Sequence, residues 1–304
     1  MRIGLITPEP GHPLLAATTA LLTREHQVET LDPRTVGDVP EPPADVYLLK
    51  SRTPRALALA LDLEQRGAAV VNSAEATALC QDRTAMAEQA RRAGLPFAAT
   101  RTFSTLAELA SGPRLHGPVV VKSRHSRRHD VVARLDNDVQ LRELAAAHPQ
   151  EPVVVQEFAP NSGWDHKLWA IGDQLFAALR RSELSPGGRG PTLPLAPDDL
   201  PPGWPALVRR VGKVFELDVY GVDIIDTGDG VPLIVDINAF PGIRGQSGAP
   251  EALAALTLAV SLGSARNDVD VELVGAKGSG HAEEEQGEVL LPARSGDTAQ
   301  AHLG

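Results

Sequence analysis

The chain has 304 residues, 42% of them hydrophobic, enough apolar material for one large domain or two to three small ones. Its formal charge of -10 is uneven: residues 265–304 hold three Lys/Arg against eight Asp/Glu, so the body is only mildly acidic and gives no reason to expect nucleic acid or an anionic membrane as a partner. The single cysteine, Cys80, excludes an internal disulfide and any thiol-built zinc site and points to a reducing compartment.

No run reaches the roughly 18 apolar residues needed to span a bilayer. The opening MRIGLITPEPGHP is too short for a signal-peptide core, so a soluble, cytoplasmic protein is expected. In chain order, Arg2 to Thr7 read as a buried strand, Leu14 to Glu25 as a helix and Val46 to Lys50 as a strand. PRALALALDLEQRG follows as a helix stopped by Gly67, and AAVVN as a strand closed by Asn72. This alternation predicts a small parallel α/β layer over residues 1–81.

Ser73 is placed to cap the short helix AEATALC, with Cys80 as a small core residue, and Asp82 to cap RTAMAEQARRAG, which stops at Gly94. Beyond it the pattern turns β-rich: Pro118 to Lys122, Pro152 to Phe158, KLWAIG and Gln174 to Arg180. WPALVRRVGKVFEL has helical spacing, and Val219 to Ile225 and Val231 to Asn238 read as two strands joined by the hairpin turn DTGDG. After Leu262 the composition turns to Gly, Glu, Ala and Ser, which predicts a disordered acidic tail over 263–304.

Successive side chains of a strand alternate faces, so Asp236 and Asn238 point the same way. Asp223 comes within reach if the two last strands pair across DTGDG. Two carboxylates and an amide oxygen converging on one point suit a hard cation, and the usual one beside nucleotide phosphates is magnesium. Each acid taken alone also fits a solvent-facing sheet edge.

Lys122 ends an apolar strand and opens KSRHSRRH, a basic run with Arg124, Arg127 and Arg128 that suits phosphate oxygens or, as an alternative, is a solvated charge run. Aromatic platforms for nucleic acid are missing from this loop. Gln156, Glu157 and Phe158 end a strand whose free backbone edge could read a purine ring. Asp165, Lys167, Arg180 and Arg181 stand at other strand ends. Walker, GxGxxG, GxSxG and HExxH patterns are absent from the sequence.

Taken in order, Asp82-Arg83, Lys122, Gln156-Glu157-Phe158, Asp165-x-Lys167, Arg180, Asp223 and Asp236-x-Asn238 resemble the ATP-grasp superfamily over roughly residues 1–262. That resemblance implies a mixed α/β and α+β fold: an N-terminal Rossmann-like layer (1–81), then a central subdomain (82–157) and a C-terminal subdomain (158–262) that enclose ATP. It implies ATP and one or two Mg2+ ions as cofactors, with Mn2+ as a substitute. Lys122, Arg83 and Asp165 are expected on the nucleotide, Gln156 to Phe158 on adenine, and Asp223, Asp236 and Asn238 on the metal. Arg180 and Lys167 are expected to act on the transferred phosphoryl group.

Two branches of the superfamily compete. The glutamate ligases similar to the ribosomal-protein S6 modifying enzymes share GVDII and the ending D/E-x-N-x-x-PG, and imply amide formation through an acyl phosphate. The inositol trisphosphate 5/6-kinases share DINAFPG and KSR, and imply transfer to a hydroxyl. Asp236 stands where the ligases usually have Glu, Arg83 where they have Lys, and SRHSRRHD where they have a glycine-rich loop. In the C-terminal subdomain, in turn, the stretch SELSPGGRGPTLPLAPDDLPP offers only Arg189 as a further cation for a polyphosphorylated ring. The ligase is the reading adopted, on a small amino-acid-like substrate, with Lys50, Arg52, Arg124 and Arg244 as substrate-side candidates and a homodimer as the default assembly. A nucleotide-sensing protein without turnover is the third reading.

Overall fold

The computed structural model describes residues 1–276 except positions 38, 128, 186, 187, 189, 191 and 229, with side chains described to residue 263. Arg128, Arg189 and the part of the expected tail at 277–304 therefore lie outside the described residues.

The first layer contains β1 (Arg2–Ile6), α1 (Pro13–Leu22), β2 (Gln27–Leu31), β3 (Val46–Leu49), α2 (Pro54–Gln65) and β4 (Ala69–Val71). Its strands are all parallel in the order β2-β1-β3-β4, as the strand–helix alternation requires. Every residue of β3 is buried, the pattern of a strand covered on both faces. Thr53 starts α2 by accepting a hydrogen bond from the Ala56 amide, and Pro54 occupies the first turn, where its missing N–H costs nothing. The short strand β2, with its exposed Gln27 and Thr30, carries too little apolar pattern to be read from sequence.

The second group runs α3 (Ala74–Leu79), α4 (Arg83–Arg92), β5 (Thr100–Phe103), α5 (Leu106–Ser111), β6 (Val119–Ser123), β7 (Val132–Leu135), α6 (Asp138–Ala147) and β8 (Val153–Glu157). Its sheet is antiparallel in the order β5-β8-β6-β7. Cys80, expected in the core, is buried at the end of α3, and burial pushes its thiol up to about 12, so it is inert.

The third group has β9 (Trp164–Ile171), β10 (Gln174–Arg181), β11 (Thr192–Leu195), α7 (Trp204–Phe215), β12 (Val219–Asp226), β13 (Pro232–Ala239) and α8 (Ala249–Ala276). The antiparallel sheet has the order β11-β10-β9-β12-β13, and β12 and β13 form the hairpin that DTGDG predicts. Helix α8 takes in 263–276, the first part of the segment read as a tail. Residues Met1–Ser264 form one compact unit. Within it, α7 packs Val208, Val211 and Phe215 on the back of the third sheet, leaving the opposite face of that sheet toward the second.

The first and third groups are stapled by Asn72, which is fully buried. Its Nδ2 donates to the Val219 carbonyl at 2.7 Å, and its Oδ1 accepts from the Asp218 and Val219 amides at 2.8 and 2.9 Å. The start of β12, and with it the position of Asp223, is thus fixed by the end of the N-terminal layer.

Candidate active site

A cleft of about 1200 Å³ opens between the second and third sheets. One wall presents Val120, Lys122 and Gln156, with Glu157 and Phe158 at its rim; the other presents Lys167, Trp169, Asp223, Asp236 and Asn238. The walls touch where Lys122, on β6, donates from Nζ to the Val235 carbonyl on β13 at 2.6 Å. Lys122 is only 7% exposed, and burial, which outweighs the attraction of Asp236, pushes its ammonium down to about 8.

On β12 and β13, Asp223 stands directly opposite Asp236, and Asn238 opposite Gly221 two residues on, so the three oxygen-bearing side chains share a face. A register shift follows Asp223 and re-aims the strand there. Two buried cations balance the acids. Lys167 Nζ lies 2.7 Å from Asp223 Oδ2 and 3.4 Å from Asp165 Oδ2. The Arg83 guanidinium lies 2.7 Å from Asp130 and 3.5 Å from Asp236, and donates to the Ser123 carbonyl. Among the described residues no three His, Cys, Asp or Glu side chains gather into a metal cluster. The donor set is two carboxylates and an amide oxygen, all hard ligands, which fits Mg2+ completed by water and phosphate oxygens.

At the rim, sheet pairing takes up Gln156 from both sides, by Thr100 and Val120, and its side chain donates to the Thr100 hydroxyl at 3.0 Å. Glu157 pairs with Val119 on β6 but lies past the end of β5, which leaves that side of its backbone free for a planar ligand. Phe158 packs under the Arg134 guanidinium, 3.9 Å from the ring centroid. Arg180 lies opposite Asp165 and lines the cleft, with its Nε buried and without a partner.

Of the expected substrate residues, Arg52 and Arg244 line the cleft. Lys50 stands just behind the lining, donating to the Phe240 and Pro241 carbonyls at 3.0 and 3.3 Å. Arg124 is not among the lining residues: its guanidinium is held 2.6 Å from Asp82, the cap of α4, where the chain after β6 turns back to pair His125 with Asp82. Sequence reasoning missed Trp169, Asp130 and Arg134 in the lining. The period-two rule that links Asp165 and Lys167 carries on to Trp169, so that residue was readable; Asp130 and Arg134 were not, since their partners are remote in sequence.

Two facing sheets that enclose a cleft with a buried lysine on one wall and an acid–acid–amide set on the other define the ATP-grasp class. The chain belongs to the RimK-like ATP-grasp domain family, whose profile matches residues 97–259, more than half its length. In fold it is similar to a RimK domain protein ATP-grasp from Sphaerobacter thermophilus DSM 20745, at 22% identity and a TM-score of 0.66 over 85% of this chain and 100% of that one. It is likewise similar to the ATP-grasp ligase PsnB complexed with minimal precursor, at 19% identity and 0.63 over 85% and 99% of the two chains. A third likeness is to D-alanine–D-alanine ligase from Bacillus anthracis complexed with ATP, at 16% identity and 0.67 over 88% and 99%. No curated protein matches the sequence.

Proposed function

We propose that the chain is an ATP-dependent carboxylate–amine ligase that joins a small amino-acid-like carboxylate to an amine through an acyl phosphate, with glutamyl transfer as one such reaction. The observation that carries this reading is Lys122 reaching across the cleft to the strand that bears Asp236, so that phosphate-binding cations face the acid set. The family assignment supports the ligase chemistry, and PsnB, one of the similar proteins, has been captured with Mg and ADP.

On this reading Asp223, Asp236 and Asn238 would hold one or two magnesium ions, which would supply positive charge against the phosphates. Lys122 draws in phosphate oxygens, and Arg83 and Asp165 fix the charges around them. Glu157 and Phe158, with the end of β8, receive the adenine. A carboxylate oxygen of the substrate attacks the γ phosphorus, the bond to the β-phosphate oxygen breaks and ADP leaves; Arg180 and Lys167 steady the oxygens in transit. The amine then attacks the acyl carbon, the carbon–oxygen bond to phosphate breaks, and the amide, inorganic phosphate and a proton are released. Lys167 starts in a bond to Asp223, so ligand binding must redistribute it.

Transfer to a hydroxyl is the second reading, favoured by Asp at position 236. The two differ in mass balance. A coupled assay of ADP and inorganic phosphate over amino-acid and inositol-phosphate panels should give one phosphate released per ADP for the ligase; ADP without free phosphate would overturn it in favour of the kinase. A cytoplasmic setting, where ATP and magnesium are abundant, suits either, and among the described residues no helix is long and apolar enough to cross a membrane.

A further inference from the structure

Beyond Asn238 the chain turns at Pro241 and Gly242, and four basic side chains from distant parts of the sequence meet around that turn. Arg52 and Arg244 line the cleft. Lys50 spends two of its three N–H donors on the Phe240 and Pro241 carbonyls and lies 5.3 Å over the Phe240 ring. His12 precedes α1 and is 9% exposed, with its Nδ1 buried and without a partner. Its Nε2 stands 3.3 Å from where a β-carbon on Gly242 would lie, so the absence of a side chain there is what lets the imidazole approach the turn.

None of these four has a carboxylate within ion-pair distance among the described residues. Arg52 makes one hydrogen bond, to the Ser126 hydroxyl at 3.3 Å. The groups feel one another: burial first, then Arg52 and Arg244, push Lys50 down to about 8, and burial, then Lys50 and Arg244, push His12 down to about 4. Glu9 is the one acid that opposes both shifts. Arg52 and Arg244 on the cleft wall, with the Lys50 ammonium close behind them, are like charges without a counter-ion at ion-pair distance among the described residues, which is unfavourable in the empty protein, and an incoming anion relieves them. Beside them the Trp169 indole lies over Gly221, close enough that a β-carbon there would meet Trp169 Cδ1 at 3.0 Å and Pro241 at 3.1 Å, which gives the corner a flat apolar floor.

We propose that this corner is an anion subsite of the substrate: Arg52, Arg244 and the remaining donor of Lys50 bind a carboxylate or phosphate that stays intact during the reaction, with His12 behind it and Trp169 beneath. The inference rests on the nucleotide reading of the neighbouring cleft, and deepens it by naming the substrate class. The substrate carries one group that reacts and a second, anionic one that orients it, as in an acidic amino acid, an acidic peptide end or a phosphorylated small molecule.

The test is calorimetric titration of the full chain with L-glutamate, the uncharged diamide glutaramide, inorganic phosphate and inositol hexakisphosphate, each with and without ADP and magnesium. At least one anion should bind about tenfold more tightly than glutaramide, and Arg244→Gln and Arg52→Gln should each weaken it by about tenfold, the worth of one charge-assisted hydrogen bond, while ADP affinity is unchanged. A preference for glutamate names a carboxylate, and a preference for the phosphates a phosphoryl group. If no anion outbinds glutaramide, or if both variants retain wild-type affinity, the subsite is wrong. Anion binding that persists in a protein unable to bind ADP would keep the subsite and sink the nucleotide reading instead.

Discussion

Asp236 is balanced before any ligand arrives: it faces Asp223 across the hairpin and lies 3.5 Å from the Arg83 guanidinium. Replacing it by Asn keeps its size and removes the charge on which the proposed metal site depends. Asp236→Asn should therefore lower turnover by about 100-fold or more with little change in melting temperature, because Arg83 keeps Asp130. Phosphate release and a thermal melt measured together check this; a variant of full activity would remove Asp236 from the site. His12 sets a pH dependence of stability. Its folded value near 4 lies below the ordinary 6.5, so between those values the unfolded chain binds more protons and stability falls as pH drops. Between neutral pH and about pH 5 the wild type should lose more melting temperature than His12→Gln. Equal losses in the two proteins would show that the imidazole takes up its proton without cost.

At the scale of elements, the β12–β13 hairpin was legible because its turn residues and its alternation agree, and the same alternation put Asp236 and Asn238 on one face. The strands β5 and β7 were not legible, since half-exposed runs such as TRTF and VARL carry no clean period. Nor could sequence show that Asn72, read only as the end of a strand, closes three hydrogen bonds to the start of β12. Asn72→Ala would leave those buried backbone groups unpaired and should cost about 3 kcal/mol. A urea titration monitored by circular dichroism checks it, and a midpoint equal to the wild type would mean that water replaces the staple.

At the scale of the molecule, local pattern and order were enough to anticipate the parallel first layer and the ATP-grasp class, because strand–helix alternation and the spaced polar strand ends survive in a single sequence. What could not be read is which loops meet. Arg124 is drawn to Asp82 and away from the cleft, while Lys50, Arg52, His12 and Arg244 are collected from opposite ends of the chain by the docking of the first layer on the third sheet. The basic cluster is thus assembled from both ends of the chain, Lys50, Arg52 and His12 meeting Arg244, and it bears equally on an acidic ligase substrate and a phosphorylated kinase substrate. Calorimetric titration of ADP with and without magnesium, in the wild type and in Asp236→Asn, decides whether the cleft between the sheets is a magnesium–nucleotide site. Magnesium should tighten ADP binding by about tenfold or more in the wild type and have no effect in the variant. Equal, magnesium-independent binding in both proteins, or no binding in the wild type, would contradict the account.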